Sequence, residues 1–266
     1  MLGVFGGSGF YSFLDDATDV VVDTPFGPPS APVRVGRLGD VDVAFIPRHG
    51  VHHHLPPHRV DYRANVWAMR EVGVRRLIGP CAAGSLQPDV KPGDFVVCDE
   101  LVDRTSGRRD TYYDGPQVHH VTFADPYCPA LRSALVAAAR DDGVTVHDGG
   151  TVVVIQGPRF STRAESRWFR DAGWQVVNMT QYPEAYLARE LGLCYATTAL
   201  VTDYDAGLEG VAGIEPVTMD EVLRVFDANL ERLRSVLFRA LPSISPVPVV
   251  GECACAQGLA ADKLAR

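Results

Sequence analysis

Short apolar runs, each closed by glycine, proline or a small polar turn, alternate with helical patterns along most of the chain, and this alternation restricts it to an α/β fold. Strands are expected over Leu2–Phe5, Val33–Gly36, Val41–Ile46, Leu77–Pro80, Phe95–Cys98, Thr151–Ile155, Val176–Asn178 and Tyr195–Val201. Helices are expected over Tyr62–Glu71, Ala130–Asp141, Arg163–Asp171, Pro183–Glu190 and Met219–Ala240. The last has a capping box, Thr218 with Glu221, and one apolar stripe through Val222, Phe226, Leu230, Leu233 and Leu237. Several strands lie too close together for a helical crossover, so a single domain with a mixed β-sheet flanked by helices is expected. No repeat or low-complexity linker divides it. Residues 1–242 read as the domain, and 243–266 as its C-terminal tail, joined by the proline-interrupted "SISPVPVV".

With 266 residues and a net charge of −8, the chain is a poor candidate for a nucleic-acid binder, whose affinity rests on basic phosphate contacts. No apolar run reaches the length of a membrane span, and "MLGVFGGSGF" lacks the basic start of a signal peptide, so a cytoplasmic protein without membrane contact is expected. Of six cysteines, Cys81, Cys98, Cys128 and Cys194 read as reduced core residues. Cys253 and Cys255 stand apart in the tail.

Chemistry-bearing residues gather where strands end, the place at which ligands collect in α/β sheets. After the first strand, "GGSG" brings up Ser8 either as part of an anion loop or in a plain tight turn. "IPRHG" supplies Arg48, a fork suited to oxyanions, and His49. The following "VHHHLPPH" reads as a polar loop rather than a metal site, since no acidic or cysteine ligands share its spacing. "CAAGSL", with Ala82, reads as a small-residue turn that could bring backbone N–H groups to a ligand. Phe160, in a Gly-Pro turn, either packs in the core or stacks on a ligand. Met179 and Thr180 precede a helix, and the Thr180 hydroxyl either binds an anion or caps the chain. In "LVTDYDAG", Asp203 and Asp205 sit two apart after a buried strand, so both carboxylates face one spot and at least one pKa rises.

These stretches in this order resemble the trimeric purine nucleoside phosphorylase family, and within it the branch acting on 5′-methylthioadenosine. The resemblance runs from "GVFGGSGF" through "RHG", "DYRANVWAMREVGV", "AAGSLQPDVKPGDFVV", "DRTSGRRDTYYDG", "QGPRFSTRAES" and "NMTQYPEAYLARELGLCYA" to "TDYD", roughly residues 2 to 205. It implies phosphorolysis of an N-glycosidic bond by a homotrimer whose partners are a small-molecule nucleoside and inorganic phosphate, the latter as co-substrate. It implies no cofactor and no metal. By motif match, Ser8, Arg48, His49, the Ala82 backbone and Thr180 would hold phosphate. Phe160 would line the base pocket, Met179 the ribose, and Asp203 and Asp205 the purine. His120 would reach a neighbouring subunit's 5′ pocket, which Met219, Val222 and Leu223 would also line. The chain departs from some relatives by Cys81 in place of Thr, and its "CAC" tail resembles a Cys-x-Cys of some prokaryotic members.

Departure of a purine puts negative charge on the base, and an acid near N7 relieves it. A carboxyl beside another carboxylate in a closed pocket can hold that proton, which gives Asp203 the acid's role, while Asp205 either orients it or accepts from the 6-amino group. The rival is a purine nucleoside or methylthioinosine phosphorylase acting on 6-oxopurines. By resemblance such enzymes carry Asn where Asp203 stands and Glu where Ser161 stands. Two further readings, a DxD metal site of a glycosyl transferase and a nucleotide-sensing protein without catalysis, fit fewer of the strand-end residues.

Overall fold

The computed structural model describes residues 1–7, 14, 17–116, 118–211, 214, 219–244, 253 and 255, with side chains in the last helix from Arg224 onward. Its strands are β1 (Leu2–Gly6), β2 (Ala17–Val20), β3 (Val33–Leu38), β4 (Val41–Pro47), β5 (Arg76–Ile78), β6 (Cys81–Ser85) and β7 (Phe95–Val97). They continue as β8 (Glu100–Arg104), β9 (Val146–Asp148), β10 (Thr151–Ile155), β11 (Val176–Asn178), β12 (Cys194–Ala196) and β13 (Ala199–Tyr204). The helices are α1 (Tyr62–Glu71), α2 (Pro129–Asp141), α3 (Arg163–Asp171), α4 (Gln181–Glu190) and α5 (Met219–Ile244).

Two mixed sheets form, where the sequence suggested one. The first runs β12–β5–β1–β4–β3–β2, parallel as far as β4 and antiparallel beyond it. The second runs β8–β10–β11–β6–β13–β7–β9, parallel as far as β11, after which antiparallel and parallel pairings take turns. The sheets are joined because two neighbouring strand paths pass from one to the other. β5 gives way to β6 at Gly79–Pro80, and β12 to β13 at Thr197–Thr198. Pairing survives the break through Gly79 N–H to Ala196 O (2.9 Å) and Cys81 N–H to Thr198 O (3.2 Å). Gly79 is required there: a Cβ would collide with the Tyr195 hydroxyl and Glu184 Oε1.

The strands β1, β5, β7, β11 and β12 are buried along their whole length, which explains why they are apolar apart from Arg76 and Asn178. Helix α5 packs on α2 and β13, closing a core of Phe95, Leu131, Leu135, Leu200, Leu233 and Leu237. Two expectations change. "CAAGSL" is not a turn: its small residues fill an inner strand, β6, wedged between β11 and β13. The run Tyr195–Val201 is two strands, since Thr197 and Thr198 carry the chain between sheets. The Thr218–Glu221 capping box lies outside the described residues. Among the described residues no helix is long and apolar enough to cross a membrane.

Candidate active site

The sheet junction places several strand ends around one cavity of about 820 Å³. Arg48, directly after β4, enters it fully buried. Its Nε and Nη2 donate to Glu184 Oε2 (2.5 Å) and Oε1 (2.8 Å), and Nη1 donates to Pro80 O (3.2 Å). That carbonyl is available because the strand changes sheets at Pro80. Burial pulls the Arg48 pKa down, but the charge and hydrogen bonds of Glu184 outweigh it, so the guanidinium stays charged. A guanidinium has five N–H donors, so these bonds leave about two for a ligand.

His49 is buried beside it. Its Nδ1 lies 2.8 Å from Leu55 O, an acceptor only, so Nδ1 carries the proton and Nε2 presents a lone pair. Burial first, then the Arg48 charge, lower its pKa to about 4. His53 stacks on His49, with ring centroids 4.6 Å apart, and also lines the cavity, so the histidine loop is not merely incidental.

A folded-state pKa near 4 against about 6.5 unfolded means that the unfolded chain binds the extra proton. Stability from His49 is therefore present above about pH 6.5 and is lost as the pH falls towards 4. We expect wild type to lose about 2 kcal/mol more than His49→Asn between pH 7 and pH 5, read from urea unfolding. Asp203 and Asp205, with raised pKa values, act in the opposite sense, so the difference between the two proteins is the quantity to compare. Equal losses would mean that His49 is not held neutral.

On the far wall Asp203 and Asp205 do face one way. A bulge between Val201 and Asp203 keeps Asp203 opposite Gly84, whose missing side chain leaves room for both carboxylates. A Cβ at Gly84 would lie 3.4 Å from Asp205 Cβ and 3.6 Å from Asp203 Oδ2. Asp203 accepts from the Thr202 hydroxyl at 2.6 Å. Burial raises its pKa, and the Asp205 charge adds to the rise. Burial also raises Asp205, against hydrogen bonds led by the Ser166 hydroxyl.

Between the walls, four buried polar atoms have no partner among the described residues: Ser161 Oγ, Asn178 Oδ1, Thr180 Oγ1 and Asp205 Oδ2. All four residues line the cavity, and such orphans call for a ligand or water. Thr180 stands at the start of α4 without capping it, so its hydroxyl is available. Cys81 accepts from Asn178 Nδ2 at 3.0 Å and lies 3.7 Å from Thr197 Oγ1, which occupies its sulfur. Ala82 and Met179 complete the lining. Phe160 is 78% exposed at the rim, which rules out the core-packing alternative for its ring.

His120 is exposed and does not line its own chain's cavity. Ser8 lies outside the described residues, as do the side chains of Met219, Val222 and Leu223. Phe226, on the same helix, does line the cavity. Sequence reasoning missed three participants. Glu184 carried only a helix-start signal. Phe226 was visible only as part of a core stripe. Arg108 carried no signal, yet its guanidinium binds the carbonyls of Gln156 (2.8 Å), Met179 (2.9 Å) and Tyr182 (2.5 Å), tying two cavity segments together.

A buried cation facing a pair of hindered carboxylates across one cavity suits transfer of a group to an anion. The chain matches the phosphorylase superfamily over residues 2–242 and belongs to that family. It is 56% identical over 260 residues to S-methyl-5′-thioadenosine phosphorylase of Mycolicibacterium smegmatis, covering 97% of both chains. It is 55% identical over 267 residues to purine nucleoside phosphorylase of Streptomyces coelicolor, covering 97% of this chain and 93% of that one. Among solved structures, methylthioadenosine phosphorylase from Schistosoma mansoni in complex with adenine has a TM-score of 0.87 at 39% identity, over 93% of this chain and 92% of that one.

Proposed function

We propose that this chain phosphorolyses the N-glycosidic bond of 5′-methylthioadenosine, giving adenine and 5-methylthioribose 1-phosphate. The observation that carries the reading is the single cavity with a fixed cation on one wall and two burial-raised carboxylates on the other. Asp203 is the acid that protonates N7, and Asp205 orients it or accepts from the 6-amino group. Inorganic phosphate is the co-substrate, held by Arg48, Thr180, the Ala82 backbone and, by resemblance, Ser8. With Nδ1–H committed to Leu55, His49 offers an acceptor at Nε2, which suits the P–OH of hydrogen phosphate. Phosphate attacks C1′ from the face opposite the departing base and stabilises the oxocarbenium-like sugar. Proton donor and nucleophile are thereby supplied without a resident cofactor in the reaction.

Phe160 covers the base and Met179 the ribose. By resemblance, Met219, Val222 and Leu223 would line the 5′ pocket, with His120 from a neighbouring subunit of a homotrimer, and Phe226 of the same helix lines the cavity. The trimer works in the cytoplasm, where purine and methionine salvage takes place.

A second reading, cleavage of 6-oxopurine nucleosides, is favoured by the name of the Streptomyces relative. The two differ at Asp203, because a carboxyl whose one proton goes to N7 offers the 6-position only an acceptor oxygen, which suits a 6-amino group and opposes O6. The test is phosphate-dependent base release from methylthioadenosine, adenosine, inosine and methylthioinosine, compared by kcat/KM. Methylthioadenosine is expected to exceed methylthioinosine by about a hundredfold or more. Equal values, or the reverse order, would transfer the assignment to the second reading.

A further inference from the structure

Away from the cavity, the sulfurs of Cys128, Cys194, Cys253 and Cys255 all lie within 4.8 Å of one another, and none of the four residues lines the substrate cavity. They come from three separate parts of the chain. Cys128 is the residue before α2, Cys194 opens β12, and Cys253 and Cys255 follow α5 in the tail. The sequence reading placed the first two in the ordinary core, apart from the tail pair. The fold brings them together.

We propose that these four cysteines form a tetrahedral thiolate site for a structural soft divalent cation, zinc above all, which fastens the C-terminal tail to the body of the domain. Three observations converge on it. With metal–sulfur bonds of about 2.3 Å, the edge of a tetrahedral sulfur cage is about 3.8 Å. Cys128 and Cys253 are 3.8 Å apart, and all four thiols are free. Four thiolates around a divalent ion leave two negative charges, which burial makes costly unless they are answered. Two sources answer them. Arg189, itself buried, places Nη2 3.8 Å from Cys255 Sγ. The N–H groups of Ala130 and Leu131, at the start of α2, face the Cys128 sulfur. Such outer contacts orient and hold metal ligands. The set is closed by four protein sulfurs, which suits a structural ion rather than a catalytic one. On binding, up to four S–H bonds give way to four metal–sulfur bonds, and the protons pass to solvent with no change of oxidation state.

The experiment uses the full chain, purified with a phosphine reductant and without chelator, then desalted and analysed for zinc by mass spectrometry. About one zinc ion per chain is expected to persist. Exchange into cobalt(II) is expected to give the intense visible bands and near-ultraviolet sulfur-to-metal absorption of a tetrahedral tetrathiolate. The double variant Cys253→Ser/Cys255→Ser should retain about a tenth of the metal or less and unfold at lower temperature, with kcat close to wild type. Should that variant fail to fold, the cobalt spectrum of the wild-type chain decides alone. Less than about a tenth of an ion per chain after reconstitution of the reduced protein overturns the proposal. So does recovery of the four residues as two disulfides from cells lysed with a thiol-blocking agent.

Discussion

Asp203→Asn is expected to lower kcat/KM for 5′-methylthioadenosine by about a hundred- to ten-thousandfold, the range a positioned general acid supplies. The side chain keeps its size and its place opposite Gly84, so the loss belongs to the proton rather than to packing. An amide can still donate to a purine, but it cannot deliver a proton to N7. It can, however, turn N–H donors towards both N7 and a 6-oxo group, whereas the carboxyl, its one proton directed at N7, offers the 6-position only an acceptor. The variant should therefore lose far less on inosine and methylthioinosine, and the added Ser161→Glu should move the preference further. Its pH profile should also change. Wild-type activity is expected to fall as the pH rises through the elevated pKa of Asp203, and the variant should lack that limb. A ratio of 6-amino to 6-oxo activity within a few-fold of wild type would remove Asp203 from both roles.

Glu184→Gln should destabilise the protein by about 3–5 kcal/mol, because it leaves the Arg48 charge buried without its counter-ion. At this chain length that is a fall of about 10 °C or more in Tm. The amide cannot replace the carboxylate. Glu184 accepts from two Arg48 nitrogens and, at Oε1, from the Tyr195 hydroxyl at 2.6 Å, whereas an amide has one acceptor oxygen and turns two N–H groups towards donors. Phosphate would bring a new counter-charge to Arg48, so high phosphate should restore more stability to the variant than to wild type. The phosphate KM should rise well above wild type while the nucleoside KM changes little. Unchanged Tm would mean that the ion pair does not exist in solution. Equal rises in both KM values would detach Arg48 from phosphate.

What could be read along the chain was whatever local spacing controls. Tyr62–Glu71 and Arg163–Asp171 run as helices over the expected residues, because their periodicity is framed by caps. Asp61 accepts from Ala64 N–H, and Thr162 with Glu165 forms a reciprocal box. The fully buried strands were visible for the same reason, and so was the pairing of Asp203 with Asp205, since an extended chain repeats its direction every second residue. Strands β2, β8 and β9 escaped notice. They are short and largely polar or half-exposed, and only their neighbours in the sheets make them strands. In β6, Ala and Gly read as turn residues, but close packing between two strands needs small side chains just as much.

The sequence by itself determined the five helices, the buried strands, the mixed α/β class and the strand ends that carry charge, because each depends on residues within a few positions of one another. Only the tertiary structure decided which of those ends meet and what they do to one another. Arg48 and Glu184 are 136 residues apart, and nothing local links them, yet their contact keeps a buried cation charged. The raised pKa of Asp203 needed burial by distant segments as well as its neighbour two residues on. The four cysteines are likewise unremarkable where they stand in the chain, and become one site only when a helix start, a strand and the tail are packed together. Long-range contact and desolvation are properties of the folded chain, and no reading of periodicity contains them.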